Sequence, residues 1–439
     1  MVKDVVSVKY KEHDVGAASF NTETGIGSFE FEPRFIKTGI ELSPIKMPLS
    51  PKIYSFPEAD PAAFNGLPGM LADSLPDDFG NAVLNAWIAS QGKLPADITP
   101  IQRLRYTGKR GMGALTYHPA TQIKNLNVSQ HIEIQSLVSI AQEILDKRER
   151  FRIDLGAQGE EDKEAMTELL SVGVSAGGAR PKAILAFNDD FTQVRSGQTD
   201  VPEGFTHFIM KFDGVSEHNK DKETFGDPMG YGTMEYVYHL MAKECGIEMM
   251  PCRLLDEGNR RHFITQRFDR DGNEKRHVQT LNGLAHVSYK KAGLYSYAEL
   301  FTIARELKLS SDDAMQIFKR MVFNIVARNH DDHSKNFGFM LDDQYHWQLA
   351  PAYDLVYSYK PKSYWVGSHW MKLNGKRDNF TREDVYSLGK LSSLFSKHKI
   401  DQIIDETTEH VSKWNSLAAE NCVPHSLIEL IGSNLRLTI

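Results

Sequence analysis

Apolar residues recur at Ala314, Ile317, Phe318, Met321, Val322 and Ile325, a spacing that lines one face of a helix and demands a core to bury it. Ser310 and Asp313 supply a capping signal at its start. The pattern stops near Arg328. The next eight residues, Asn329-His330-Asp331-Asp332-His333-Ser334-Lys335-Asn336, are all polar, so they form a loop rooted on a rigid element. Two apolar runs follow, Phe337 to Leu341 and Tyr345 to Ala350, separated by Asp342-Asp343-Gln344. They predict a hairpin. Directly after it comes Asp354, within Pro351-Ala352-Tyr353-Asp354.

Asp331 and Asn336 stand five positions apart, the D-x-x-x-x-N spacing of a kinase catalytic loop, and Asp354 stands where a kinase places its metal-binding Asp. The residue types suit phosphoryl transfer. One carboxylate can orient an attacking hydroxyl and take its proton. An amide oxygen and a second carboxylate can hold Mg²⁺, which prefers hard oxygen ligands. The same spacing also fits a polar loop with solvated charges, so the weight falls on what lies upstream.

With 439 residues the chain is long enough for two or three domains with full cores. Its 41% hydrophobic and 25% charged residues are those of a soluble globular protein. A net charge of −7 excludes a nucleic-acid-binding surface spread over the whole chain. Cys245, Cys252 and Cys422 have no C-x-x-C spacing and read as reduced core thiols, consistent with a cytoplasmic location. No signal peptide and no apolar run of ~20 residues is visible, so no membrane partner is expected.

Residues 1–125 read as a separate α+β unit, with strands near Val5–Tyr10 and Phe29–Phe31, a helix after Asp77-Asp78, and a turn at Gly111-Met112-Gly113 into a short strand. Arg103, Arg105, Lys109 and Arg110 form a local basic cluster, read as a solvated loop in preference to an anion or partner site. A helix is expected over about Gln130–Lys147. Residues 126–270 then carry a glycine-rich segment, Gly173-Val174-Ser175-Ala176-Gly177-Gly178-Ala179-Arg180-Pro181-Lys182. Glycines let backbone N–H groups approach phosphates, and Arg180 and Lys182 supply cations. Lys211 closes an apolar strand, Phe205–Phe212. Glu235 lies near the start of a helix over about Thr233–Cys245, placed to pair with that lysine or simply to stabilise the helix end. Strands Met250–Leu255 and His262–Phe268 lead to Arg267-Phe268-Asp269-Arg270, where a kinase has its hinge. Residues 271–439 are expected to be mostly helical, with Leu391, Leu394, Ile403, Ile404, Val411, Trp414 and Leu417 inside.

Glycine loop, strand lysine, helix glutamate, hinge, D-x-x-x-x-N and distal Asp thus occur in kinase order. Taken with Gln279-Thr280-Leu281, Leu75-Pro76-Asp77-Asp78 and Gly113-Ala114-Leu115, the chain resembles the HipA family, kinase toxins of bacterial toxin–antitoxin pairs. The resemblance covers nearly the whole chain. It implies an α+β, protein-kinase-like fold with a mixed N-lobe and a mainly helical C-lobe, preceded by a small α+β domain. It implies an ATP- and Mg²⁺-dependent serine/threonine kinase with Asp331 as base, Lys335 beside it, and Asn336 and Asp354 as metal ligands. Ser175, Ala176, Gly177, Gly178, Ala179, Arg180, Lys182, Lys211 and His333 would touch ATP. Gln266 and Phe268 would lie at the adenine hinge, although Gln266 stands where some members carry an acidic residue. Ser175 would be the autophosphorylated serine. Implied partners are a small helix-turn-helix, HipB-like antitoxin, operator DNA reached mainly through it, and a protein substrate such as an aminoacyl-tRNA synthetase. Two other readings share these residues: a small-molecule phosphotransferase of the aminoglycoside-kinase type, and a mainly non-catalytic co-repressor. A metal-hydrolase cluster at His330-Asp331-Asp332-His333 would leave Lys211 and the glycine loop unexplained.

Overall fold

The computed structural model describes residues 4–123, 131–147, 170, 173, 180–216 and 226–439. The glycine-rich segment from Val174 to Ala179, Ser175 included, lies outside the described residues. The chain divides into two compact units. The first comprises residues 1–42, 49–232 and 252–277; the second comprises 43–48, 233–251 and 278–439.

Among the described residues the first unit holds two larger antiparallel sheets beside two short two-stranded ones. Strands β1 (Asp4–Tyr10), β2 (His13–Asn21) and β3 (Ile26–Phe31) are joined by β4 (Leu115–His118) in the order β3-β2-β1-β4. Strand β2 has no strong strand signal in His13-Asp14-Val15-Gly16-Ala17-Ala18. It forms because neighbours pair with it on both sides. Glycine is required at its centre, since a Cβ on Gly16 would lie 2.1 Å from the Glu30 carbonyl oxygen. Helices α1 (Asp78–Ser90) and α2 (Pro100–Thr107) accompany the sheet. Asp77 caps α1 by accepting from the Gly80 N–H at 2.6 Å, and Thr99 with Gln102 forms a capping box on α2. The basic cluster is not a solvated loop. Arg103 is spent on Asn81 and Asn85 of α1, at 2.9 and 3.0 Å, and Arg110 is buried, while Lys109 is exposed.

Helix α3 (Ile134–Lys147) follows in the same unit. The second sheet is built from β5 (Lys182–Asn188), β6 (Val194–Ser196), β7 (Phe205–Lys211), β8 (Cys252–Glu257) and β9 (Arg260–Gln266), in the order β8-β9-β7-β5-β6. Its buried face, with Ala183, Leu185, Phe187, Phe208 and Met210, packs with Leu137, Ala141 and Ile144 of α3 and with residues of α1 in one apolar cluster.

The second unit takes in α4 (Tyr231–Glu244) from Thr233 onward. It contains α5 (Tyr297–Glu306), α6 (Ser311–Val326) and a small antiparallel sheet, β10 (Val278–Thr280), β11 (Gly338–Leu341) and β12 (Trp347–Leu349). The β11–β12 hairpin is where the apolar runs place it. Helices α7 (Lys397–Ser412), α8 (Trp414–Glu420) and α9 (His425–Gly432) complete it. Helix α6 carries the capping box expected of Ser310 and Asp313. Its inner face is buried from Ile317 to Val326, and the Tyr238 hydroxyl of α4 donates to the Ala327 carbonyl at 2.8 Å. The mostly helical expectation fails over residues 351–380, which hold neither a helix nor a named strand. Left-handed backbone at Lys362, Asn374, Gly375 and Asn379 breaks any regular run there. The reading of three core thiols also fails: Cys245 and Cys252 are partly buried, but Cys422 is exposed.

Candidate active site

In the second unit the polar octet emerges from the C-terminal end of α6, as its sequence predicts. The helix stops at Ala327, and Arg328 turns the chain with a left-handed φ of 57°. The loop is then tied down by its own polar residues. Asn329 donates its N–H to the Asn324 carbonyl at 2.9 Å, and its side-chain amide to Asn324 Oδ1 at 2.9 Å. That same amide reaches the Asp354 carbonyl at 3.4 Å. Residues 329 and 358 bridge in parallel. The segment carrying Asp354 is thereby stitched to the segment carrying Asp331.

The two adjacent aspartates have opposite environments. Asp332 is sealed, with its side chain fully buried. Its carboxylate accepts from the Tyr297 hydroxyl at 2.6 Å, from His369 Nδ1 at 3.0 Å and from the Trp370 N–H at 2.7 Å. Asp331 is turned outward, its side chain 42% exposed with His333 Nε2 3.7 Å away. The Asp331 carbonyl accepts from the Asn336 side-chain amide at 2.7 Å. That bond commits the nitrogen of Asn336 and does not use its oxygen, the hard donor. Asp354 sits in left-handed backbone with φ 52°, a conformation costly for a residue with a Cβ and one that marks sites where direction matters. Ser334 and Tyr353 pin the loop further, donating to the Val287 and Lys335 carbonyls at 2.6 and 2.7 Å. A carboxylate, an amide oxygen and a second carboxylate fit a magnesium ion in chemical type.

His330 and His333 do not converge. His330 packs against His369 and Tyr359, and burial, reinforced by His369 and Arg328, drives its pKa down to about 2, so it is neutral. His333 packs instead against Tyr289 and Trp370. Among the described residues no group of three or more His, Cys, Asp or Glu is gathered to hold a metal, and the metal-hydrolase reading has no support. Lys335 lies over the Tyr289 ring at 4.4 Å.

In the first unit Lys211 ends β7, buried, and its cross-strand partner is Lys182 of β5, also buried. Opposed residues of neighbouring strands share a face, so both lysines project from the same side of the sheet. Arg180 lies over the Tyr231 ring at 5.7 Å. Gln266 closes β9, half-buried like Phe268. Glu235 is buried in the second unit.

Some structural roles are invisible in the sequence. Asp213, two residues beyond Lys211, accepts from the Gly230 and Gly232 N–H groups at 2.8 and 3.1 Å and so anchors the start of α4. Gly232 is obligatory there, because a Cβ would lie 2.0 Å from the Arg261 carbonyl oxygen. Asp269 is gripped by both nitrogens of the Arg267 fork at 2.8 Å each and by Arg270 at 2.7 Å. It also accepts from the Gly113 N–H at 2.8 Å, while Arg270 donates to the Gly111 carbonyl at 3.0 Å. The Arg-Phe-Asp-Arg segment therefore clamps the glycine turn that precedes β4.

Two family models match the chain. The HipA N-terminal domain matches residues 6–118, and the HipA-like C-terminal domain matches residues 174–414. The chain belongs to the HipA family. Both the glycine turn and its Arg-Asp-Arg clamp fall inside these HipA matches, as do Asp331, Asn336 and Asp354. A HipA from Shewanella oneidensis MR-1, solved with HipB and operator DNA, covers 98% of this chain and 95% of its own at a TM-score of 0.66 and 16% identity. That likeness gives the fold: an α+β, protein-kinase-like architecture preceded by an N-terminal domain. A putative kinase of Haemophilus influenzae is 23% identical over 45% of this chain, and putative kinase Y4mE of Sinorhizobium fredii is 26% identical over 26%. The matches span 66% and 30% of the length of these two relatives. Among the described residues no helix is long and apolar enough to cross a membrane.

Proposed function

We propose that this HipA-family chain is an ATP- and Mg²⁺-dependent serine/threonine protein kinase, the toxin of a bacterial toxin–antitoxin pair acting in the cytoplasm. The observation that carries the reading is the contrast between neighbours: Asp332 is locked inside by three hydrogen bonds, and Asp331 is thereby presented outward. Asp331 orients the acceptor hydroxyl and takes its proton, with Lys335 beside it. Asn336 and Asp354 would hold Mg²⁺, which when bound neutralises charge on the phosphates. The buried pair Lys182 and Lys211 supports a phosphate-binding role, with Arg180 and the Ser175–Ala179 backbone completing it and His333 contacting the nucleotide. Gln266 and Phe268 would border adenine, and Glu235 would pair with Lys211.

Ser175 is the regulatory serine in this reading. A phosphate there adds roughly −1.5 to −2 charge beside the nucleotide's own, so phosphorylated protein loses ATP affinity. Mass spectrometry after incubation with Mg²⁺-ATP should find phosphate at Ser175, with weaker ATP binding in that fraction. Phosphate confined to other residues, or undiminished ATP binding, would count against it.

The Shewanella relative is described with HipB and its operator DNA. By extension, a HipB-like helix-turn-helix dimer restrains this chain and supplies most DNA contacts, a reading that a net charge of −7 favours. Residues 1–125 are the proposed docking surface, with exposed Lys109 adding phosphate contact. In a mobility-shift assay the chain alone should leave operator DNA unshifted and should supershift the antitoxin–DNA band. Tight operator binding by the chain alone would end this part of the proposal. The phosphoryl acceptor is proposed to be a protein, such as an aminoacyl-tRNA synthetase, and phosphoproteomics after expression without the antitoxin identifies it.

A further inference from the structure

A ladder of aromatic rings runs from the candidate catalytic loop to the surface. His333 meets Trp370 edge-on with centroids 5.9 Å apart, Trp370 stacks on Trp365 at 5.7 Å, and Trp365 meets Tyr364 edge-on at 5.1 Å. The inner end is buried at Trp370, whereas Trp365 is 42% and Tyr364 64% exposed. Beside the ladder, residues 293–295 run along residues 370–372: the Gly293 N–H donates to the Trp370 carbonyl and the Lys372 N–H to the Tyr295 carbonyl, at 2.8 and 2.9 Å. Leu294, 59% exposed, lies in this paired segment. Large apolar side chains held outward together cost solvation that a solitary surface residue does not, and such patches mark partner sites. Trp and Tyr are the residue types that most often anchor interfaces.

The sequence that carries the outer rungs is basic. From Leu355 to Arg377 the sequence has no Asp or Glu, and Lys360 and Lys362, both exposed, flank Tyr364 and Trp365. From His286 to Ala298 there is again no acidic residue. In a chain of net charge −7 this is a local reversal of sign, and complementary charge steers a partner and fixes its register. One face of Trp365 is taken by Trp370 and Tyr364 stands perpendicular to it, so Trp365 has no pair of free faces between which bases could stack. Stacked bases need open faces. An apolar side chain wedged beside the rings does not.

We propose that Leu294, Tyr364 and Trp365, with Lys360 and Lys362, form the docking surface for the phosphoryl-acceptor protein, and that it takes an acidic segment bearing an apolar anchor next to the acceptor serine or threonine. This rests on the kinase reading above for its chemistry but not for its binding. The ladder ends at His333, whose Nε2 lies 3.7 Å from the Asp331 carboxylate. A segment anchored on its outer rungs therefore extends toward the proposed base.

The test uses the full chain and fluorescein-labelled serine peptides with a single Leu or Phe, flanked either by Glu and Asp or by Lys. Anisotropy is read first without ATP. The acidic peptides should bind at least about tenfold tighter than the basic ones. Trp365→Ser should weaken that binding about tenfold, and Lys360→Glu with Lys362→Glu should reverse the charge preference. Lys360 and Lys362 are exposed, so the double charge reversal should melt with the parent and carries the test free of any stability change, whereas Trp365→Ser also gives up its stack on Trp370. With Mg²⁺-ATP, both variants should raise KM for the acidic peptide, leaving kcat and peptide-independent ATP turnover unchanged. Acidic-peptide binding without any phosphoryl transfer would support the surface and count against the kinase reading. Equal affinity for acidic and basic peptides, unchanged affinity in both variants, or displacement of the peptide by a single-stranded oligonucleotide at lower concentration than by unlabelled acidic peptide would overturn the assignment.

Discussion

Replacing Asp331 by Asn should lower phosphoryl transfer by about 10²–10⁴-fold, the contribution of a positioned general base, and leave the melting curve where it was. The carboxylate is nearly half exposed and the bond that organises the loop goes to its backbone carbonyl, not to the side chain. Asparagine keeps the shape and removes the basicity. The neighbouring substitution should behave in the opposite way. In Asp332→Asn at least one of the Tyr297, His369 and Trp370 donors meets an amide N–H in place of an oxygen. A buried donor without a partner costs roughly 1–3 kcal/mol. Stability should fall by that much, and activity should fall only as the loop loosens. Denaturant melts and initial rates on both variants separate the two roles. Parental rates from purified Asp331→Asn would remove the base assignment. A loss of stability in Asp331→Asn equal to that in Asp332→Asn would show that the loop is organised differently.

That pair also shows where sequence reading succeeds and stops. Helix α6, its capping box and the hairpin after it are legible because each is a short-range pattern: a 3.6-residue period, a cap three residues from its partner, two apolar runs around a turn. Asp331, Asn336 and Asp354 are picked out by spacing along one loop and one hairpin. Asp332 is different. Its identity is plain, but its partners lie 35 to 38 positions away, and nothing local distinguishes it from Asp331. The stretch 351–380 misleads for a related reason. Its form is set by bridges between distant segments, such as 329 with 358 and 296 with 372, which leave no periodicity behind. Strand β2 is missed because its pairing on both edges, not its composition, makes it a strand. Cys422 is misread because an apolar neighbourhood in sequence does not fix which side of a helix pair is covered.

Asp269→Ala should destabilise the first unit by about 3–5 kcal/mol, the range for stripping one member from a buried ion cluster. The carboxylate is fully buried, and it is what neutralises Arg267 and Arg270, which are themselves nearly inaccessible. Removing it takes away the carboxylate that both guanidinium groups touch, leaving only the more distant Asp200 near Arg270, and orphans the Gly113 N–H. Trp87 is the single tryptophan of the first unit, and Trp347, Trp365, Trp370 and Trp414 all belong to the second. A variant keeping only Trp87 would therefore report the first unit's unfolding separately. The effect has a definite pH signature. Burial by itself would raise the Asp269 pKa, but Arg267 and Arg270 outweigh it and hold the carboxyl well below its ordinary range. A group whose folded pKa is depressed contributes fully above its unfolded value, ~3.9 for Asp, and loses that contribution as pH falls toward the folded value. The gap between parent and variant should accordingly be full at pH 7 and shrink below about pH 4. A gap of less than ~1 kcal/mol at pH 7 would mean that the two arginines find other partners. In that case the Arg-Asp-Arg segment could not be what clamps the glycine turn to the second sheet.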